Sequence, residues 1–337
     1  MEEFMMEQTY MEMLFGKLDE GTEAIVQHTD ELYLDALSTM LEVLFYKEVP
    51  EEFDDILAQK LKNIIQDTEL EDAERLDIRK AIQLAILKGM KDSTQDKHLM
   101  TPEGIAMLVA YLAEKFTHGK DNLRLFDPAG GTGNLLTAVL QQLPNDVQAH
   151  AAEVDSTLIR LALASANLQE MEVEFFHQDA LRPLLLDPVD LVVSDLPVGY
   201  YPGDAEKFKL KASNGHAYAH HLFIETSLRY TKPGGYCILL VPDFLFESDQ
   251  AEALHKFLHE EAFVIGLLRL PETAFKTKNQ VKSIFIIQKK GEHAVMPKQP
   301  LLAQLPSLKN AQAMQNLLGQ INLWFKKYDK ERNGGEK

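Results

Sequence analysis

Apolar residues recur at three-to-four spacing through the first hundred positions, then switch to short unbroken runs after about residue 121. Between Asp30 and Lys47, Leu32, Ala36, Leu37, Met40, Leu41, Leu44 and Phe45 share one helical stripe. Pro50 suits the first turn of a following helix with stripe Phe53, Ile56, Leu57, Leu61, Ile64 and Ile65. A third stripe runs through Leu70, Ala73, Leu76, Ala81, Ile82 and Ala85, with Gly89 as its stop. These stripes predict an all-helical packing or dimerisation domain over residues 1–95, with no catalytic constellation in it. Lys91 to Lys97 is polar and reads as the linker.

From residue 121 strands alternate with helices. Leu123–Asp127, Gln148–Glu153, Glu172–Phe176 and Asp190–Ser194 read as four strands, and Gly235–Val241, Phe263–Leu270 and Ser283–Lys289 as three more. Helical patterns over Asn134–Gln142 and Ser156–Gln169 follow the first two strands. Such alternation predicts a mostly parallel sheet covered on both faces. The last two strands are close enough in sequence to pair antiparallel. The chain thus divides into residues 1–95, an α/β domain over 96–295, and a tail over 296–337. In the tail, Leu317, Leu318, Ile321, Trp324, Phe325 and Tyr328 mark a docking helix, with Trp324 as a packing anchor.

Composition narrows the class. The 337 residues are 45% hydrophobic and 26% charged, an ordinary globular balance. No apolar run reaches the roughly 18 residues of a membrane span, and the acidic N-terminus lacks the order of a signal peptide. The expectation is a cytoplasmic protein with no membrane association. The one cysteine, Cys237, cannot form an internal disulfide or anchor a cysteine-based zinc site. The net charge of −18 argues against coating nucleic acid by charge alone. Yet residues 1–96 hold 24 acids against nine bases, and the rest 28 against 25. A nucleic-acid substrate is therefore open for the α/β domain.

The candidate chemistry begins after the first strand, at Asp127-Pro128-Ala129-Gly130-Gly131-Thr132-Gly133-Asn134. Its glycines allow a tight turn and close approach to a ligand, and the helix behind offers free amides. In an open α/β sheet ligands collect at this point. A Walker loop is ruled out because Asn134, not lysine, follows Gly133. The GGxG spacing also differs from the dinucleotide fingerprint. Glu153, at the end of the second strand, suits a ribose diol, and Asp179, after the third, an exocyclic adenine amine. Three acids at successive strand ends favour a nucleoside carrying a positive group over a pyrophosphate.

These residues resemble motif I of class I S-adenosylmethionine-dependent methyltransferases, and most of all the adenine-N6 DNA methyltransferases, with the modification subunits of type I restriction systems nearest. Further motifs stand in order. His98-Leu-Met-Thr101-Pro102-Glu103 resembles the motif that closes over the methionine end of the cofactor. Ala152-Glu153-Val154-Asp155 resembles the ribose motif, and Gln178-Asp179-Ala180 the adenine motif. Leu270–Phe275 with Lys282–Ile287 resembles the late "LPxxxF … TxILF" block. The resemblance covers about residues 95–290. It implies S-adenosylmethionine as cofactor, no metal, and a seven-stranded Rossmann-like sheet of order 3-2-1-4-5-7-6, strand seven antiparallel, beside an all-helical N-terminal domain.

The family's catalytic tetrapeptide corresponds here to Asp195-Leu196-Pro197-Val198. An adenine amine is a poor nucleophile because its lone pair is delocalised into the ring. A side-chain acceptor and a backbone carbonyl can take its two hydrogens and localise that pair. Asp195 and Leu196 supply both. Leu196 replaces a proline and is expected to loosen the turn. Val198 replaces the aromatic residue that stacks on the flipped base, a contact worth about 1–3 kcal/mol. Tyr200 and Tyr201 are the candidates to replace it. Lys207, Lys209, Lys211, Lys276, Lys278 and Lys282 read either as solvated surface or as a phosphate-facing rim. His216, His220 and His221 read as surface or helix-start residues rather than metal ligands.

Three readings stay open: an adenine methyltransferase acting on DNA, the same enzyme class acting on RNA, a nucleotide or a protein, and a cofactor-binding protein that has lost catalysis. No segment looks like a target-recognition domain. Sequence-specific DNA reading would then need a separate specificity partner, and the N-terminal helices offer a surface for a homodimer.

Overall fold

A computed structural model describes residues 9–68, 70, 73–92, 100–144 and 146–334. The chain forms two compact units. One comprises residues 1–100, 131–137 and 153–177; the other comprises 101–130, 138–152 and 178–337.

The first unit is built from α1 (Tyr10–Thr29), α2 (Tyr33–Tyr46), α3 (Asp55–Asp67) and α4 (Arg75–Asp92). At 14 and 13 residues, α2 and α3 are marginal alone, so packing of their apolar stripes holds them. Their ends are fixed locally. Thr9 and Glu12 form a reciprocal capping box on α1. Asp54 accepts from the amides of Ile56 and Leu57 at the start of α3. That cap starts α3 five residues after Pro50, so the proline lies before the helix and not in its first turn. Gly89 does not stop α4, which continues to Asp92. A Cβ at Gly89 would lie 2.6 Å from Leu34 Cδ2 and 2.7 Å from Tyr33 Cδ1. The glycine serves the close approach of α2. The predicted linker begins inside α4, and its residues 93–97 lie outside the described ones.

The core of this unit joins Leu14, Leu18, Ile25, Leu37, Met40 and Leu61 to Leu161, Ala164 and Leu168. The last three belong to α7 (Ser156–Leu168), which precedes β3 (Val173–His177). The buried part of the N-terminal stripes packs on itself and on α7, whereas Leu32, Phe45, Ile56 and Leu76, read as stripe members, are exposed. Polar links reinforce that packing: Thr157 donates to Asp35 (2.6 Å), and Arg160 contacts Glu42.

The remaining elements are α5 (Glu103–Thr117), β1 (Leu123–Asp127), α6 (Asn134–Gln142), β2 (Val147–Glu153), β4 (Val189–Asp195), α8 (Ala219–Tyr230), β5 (Thr231–Pro242), α9 (Ala251–Glu261), β6 (Ala262–Arg269), β7 (Lys282–Lys289), β8 (Leu301–Gln304) and α10 (Ala311–Arg332). The sheet order is β3-β2-β1-β4-β5-β7-β6-β8. β1 runs parallel to β2 and β4, and β7 antiparallel to β5 and β6. The seven-stranded order read from the sequence is present, with β8 added beside β6. β8 and α9 lie outside the predicted elements. β8 is only four residues long and lies between Pro300 and Pro306, a composition that conceals an edge strand.

α10 docks through Leu317, Ile321, Phe325 and Tyr328. The Tyr328 hydroxyl lies 3.2 Å from that of Tyr236 and donates to the Val295 carbonyl (2.8 Å). Trp324 stacks on Tyr328, and its indole N–H donates to the Gln299 carbonyl. Among the described residues no helix is long and apolar enough to cross a membrane.

Candidate active site

Parallel strands deliver their carboxyl ends to one edge of a sheet, and Asp127 and Asp195 close β1 and β4 there. Asp127 is buried. Its Oδ1 accepts from the Ser194 hydroxyl (2.7 Å) and the Ala129 amide (3.0 Å). Pro128 and Ala129 make the turn, and the Gly130 amide donates to the Ala152 carbonyl at 2.9 Å. The acid therefore fixes the loop instead of facing water. Ser194, which ties β1 to β4, was not singled out by the sequence. A small polar residue inside a buried strand carries no pattern signal.

Asp179 and Ala180 follow β3. Asp179 Oδ1 accepts from the Leu181 amide (2.9 Å), and Oδ2 accepts from the Tyr201 hydroxyl (2.6 Å). Burial, then the bond to Asp179, pushes the Tyr201 phenol up to about 12. Tyr201 is thus committed to Asp179. Tyr200 is exposed, with its ring stacked on Tyr218 (centroids 4.8 Å apart, planes 15° apart).

The tetrapeptide adopts a definite geometry. Thr101, just ahead of Pro102 and α5, donates its hydroxyl to Asp195 Oδ2 at 2.7 Å. Lys282, at the start of β7, donates to Asp195 Oδ1, and its Nζ also lies 3.0 Å from the Leu196 carbonyl oxygen. The side chains of Lys282 and Asp195 are only 16% and 19% exposed. One nitrogen therefore satisfies both acceptors. Leu196 does not loosen the turn. Its side chain is buried, and its amide donates to the Leu240 carbonyl (3.1 Å), a bond proline cannot make. Pro197 and Val198 are exposed, and no ring stands at position 198.

His220 and His221 open α8, but they are buried, not surface residues. Burial, then His221 and Lys282, pushes the His220 imidazole down to about 3. Burial likewise takes His221 down to about 4. Both rings are neutral at pH 7. Among the described residues no group of three or more His, Cys, Asp or Glu side chains is placed to hold a metal. Three of the predicted rim lysines are engaged by acids: Lys282 with Asp195, Lys209 with Glu261 (2.5 Å) and Lys211 with Glu206 (2.7 Å).

In the other unit, Glu153 ends β2 with its carboxylate fully oriented. Oε1 accepts from the amides of Val154 and Asp155 (2.8 and 2.9 Å), and Oε2 from the Gly131 amide (2.9 Å). Val154 is exposed, and Asp155 caps α7. Gly131 and Gly133 have φ of 54° and 77°. An added Cβ at Gly131 meets nothing within 4 Å, leaving that face of the backbone open. At Gly133 it would lie 3.2 Å from Ala162 Cβ. Thr132 and Asn134 are buried, and Arg79 of α4, itself buried, donates to Asn134 Oδ1 at 3.4 Å. Arg79 was missed because a lone arginine inside an amphipathic stripe reads as a solvated residue.

Two family models match the chain: the YtxK N-terminal helical domain over residues 12–90 and the N-6 DNA methylase over residues 88–323. The Bacillus subtilis (strain 168) protein YtxK is 42% identical over 327 residues, covering 96% of this chain and 99% of that one. A Listeria monocytogenes crystal structure described as a class I S-adenosylmethionine-dependent methyltransferase is 43% identical. It covers 94% of this chain and 99% of its own, with a TM-score of 0.88. A type I restriction-modification methyltransferase subunit from Streptococcus thermophilus shares the fold at 15% identity. It covers 94% of this chain and 74% of its own, with a TM-score of 0.63. The glycine loop, the strand-end acids and the sheet order have their explanation in this kinship: the chain belongs to the N-6 DNA methylase family, whose fold is that of class I methyltransferases and whose cofactor is S-adenosylmethionine.

Proposed function

We propose that the protein transfers a methyl group to the N6 amine of adenine in DNA, with Asp195 and the Leu196 carbonyl holding the amine. The observation that carries this reading is the convergence of those two acceptors on a single nitrogen, that of Lys282. A carboxylate and a carbonyl set in this way take two N–H donors from one nitrogen, the requirement of an exocyclic amine.

The residues present fit the cofactor. The open backbone face at Gly131 and the acids at the strand ends suit a nucleoside with a cationic sulfur. The assigned holders are Thr101, Pro102, Asp127, Pro128, Ala129, Gly130, Gly131, Thr132, Gly133 and Asn134 for the methionine end. Glu153 and Val154 take the ribose, and Asp179 and Ala180 the adenine. Asp195 serves both ligands. Glu153 Oε2 accepts one amide and keeps a lone pair for a ribose hydroxyl. When bound, the cofactor supplies an electrophilic methyl on sulfur. Asp195 would draw one amine hydrogen and the Leu196 carbonyl the other, which localises the nitrogen lone pair for attack, and Asp195 would be placed to take the proton released. Sequence-specific reading of DNA is assigned to a separate chain, as the kinship with type I modification subunits supports.

One observation favours a second reading, a cofactor-binding protein without transfer: Lys282 holds the acceptors, and Val198 offers no ring. Incubation with radiolabelled S-adenosylmethionine and unmethylated DNA separates the two. Label on adenine that falls at least about 100-fold in Asp195→Ala supports transfer. Tight cofactor binding with no label on DNA overturns it.

A further inference from the structure

We propose that Lys282 is an internal stand-in for the acceptor amine, so that the amine pocket opens only when substrate displaces it. The inference rests on the amine-acceptor reading of Asp195 and Leu196. Its ammonium donates to the carboxylate and to the carbonyl at once, the two groups a target amine must reach. These acceptors cannot serve an ammonium and an incoming amine in the same geometry.

The anchor of the lysine is rigid. Lys282 pairs with Pro242 across β5 and β7, and its carbonyl accepts from the Leu270 amide at 3.2 Å. Opening is therefore a swing of the four-carbon stem with the strand in place. The partial exposure of the pair leaves the ammonium a way out to water. Asp195 is not abandoned when that happens, because the Thr101 hydroxyl stays on Oδ2. A charged donor binds a carboxylate more strongly than a neutral amine does. Free adenine therefore competes poorly, and the lysine sets a threshold that only a substrate held by additional contacts passes.

The test is binding of 2′-deoxyadenosine, measured by calorimetry on protein saturated with S-adenosylhomocysteine. Purine 2′-deoxyriboside, which lacks the amine, is the control ligand. Lys282→Met removes the ammonium and keeps an unbranched stem; Lys282→Arg keeps a cation. The expected result is at least a tenfold gain in deoxyadenosine affinity for Lys282→Met, no gain for the control ligand, and wild-type behaviour in Lys282→Arg. A merely structural ion pair would not discriminate the two ligands. Equal affinity in wild type and Lys282→Met overturns the proposal, as does an equal gain for both ligands. Reductive methylation of lysines, read by peptide mass, gives a check that needs no substrate and no altered lysine. Lys282 should label slowly in wild type and faster in Asp195→Asn. Labelling of Lys282 as fast as of exposed Lys326 overturns the closed state. A tenfold gain in binding with no methyl transfer to DNA would leave the stand-in role intact and overturn the adenine-methylation reading alone. No deoxyadenosine binding by either protein overturns both.

Discussion

The residues proposed for the cofactor and those proposed for the acceptor amine are held by different means. At the first, every acid is held by backbone amides, Asp127 by Ala129, Glu153 by Gly131, Val154 and Asp155, Asp179 by Leu181, with the Ser194 and Tyr201 hydroxyls added on Asp127 and Asp179. At the second, Asp195 and Leu196 are held by side chains, Thr101 and Lys282. Backbone amides cannot leave without remaking the loop, whereas a lysine stem rotates in nanoseconds once its ion pair opens. On the proposed assignment, the contrast is between acids fixed by the loops themselves and acceptors closed from within by a movable side chain. Stability and cofactor affinity should therefore be sensitive at the first end, and substrate selection at the second.

The largest effect expected at the cofactor end comes from Arg79. Its buried guanidinium reaches Asn134, the residue where the glycine loop becomes α6. Arg79→Met removes a charged donor to a buried amide oxygen, a change worth about 1.5–3 kcal/mol. Cofactor affinity, followed by calorimetry, should fall at least about fivefold with the melting temperature. Unchanged affinity would show that the helical unit contributes packing and nothing to the loop.

At the acceptor end, the comparable quantity is a pH dependence. The folded-state value for His220, about 3, lies below its ordinary value of 6.5. The unfolded chain thus binds the extra proton first as the pH falls. The contribution of a neutral His220 is whole above 6.5 and is lost progressively towards 3. At pH 5 the loss is about 2 kcal/mol, from 1.36 kcal/mol per pH unit. His221 acts the same way, from 6.5 towards about 4. In His220→Phe, denaturant midpoints between pH 7 and pH 5 should vary about half as steeply. An unchanged slope would mean that the His220 ring does not enter the acid sensitivity.

Gly133→Ala is the next smaller perturbation. The new methyl sits 3.2 Å from Ala162 Cβ on a backbone with φ of 77°. Together these cost about 1–2 kcal/mol. A lower melting temperature and weaker cofactor binding are expected. Unaltered melting would show that the loop shifts freely, against the fixed cofactor end described above.

How much of this was legible in the sequence follows from the kind of signal each feature leaves. β1 and α6 stood where periodicity placed them, because buried strands and amphipathic helices write themselves as patterns. Helix ends did not: α3 starts at an aspartate cap rather than at Pro50, and Gly89 sits inside α4 for the sake of α2. The glycine loop and the acids stood out as candidates because they are close in sequence or fixed to strand ends. Thr101 became a candidate only through its motif. The union of Lys282 with Asp195 joins residues 87 positions apart, and no local pattern reports such a pair. Lys282 therefore read as one lysine of a solvated surface or a phosphate-facing rim, and the two departures at Leu196 and Val198 read as weaknesses. One of these is not a weakness, since the Leu196 amide makes a bond a proline would forfeit.

The smallest predicted effect asks whether the cofactor end is wholly held by backbone. Ser194 on Asp127 and Tyr201 on Asp179 are the side chains there, and the Tyr201 hydroxyl meets Asp179 Oδ2 at 2.6 Å. That oxygen has a second lone pair, so the phenol orients the carboxylate without filling it. Tyr201→Phe should weaken cofactor binding about two- to fivefold, the scale of one hydrogen bond of 0.5–1 kcal/mol. With its phenol pushed up to about 12, the tyrosine remains a donor throughout the range from pH 6 to pH 9. The ratio of wild-type to Tyr201→Phe affinities should then be flat across that range in calorimetric titrations. A tighter-binding variant would reverse the assignment. Tyr201 would then be a side chain that leaves when ligand arrives, and the two ends of the site would share the device that Lys282 uses.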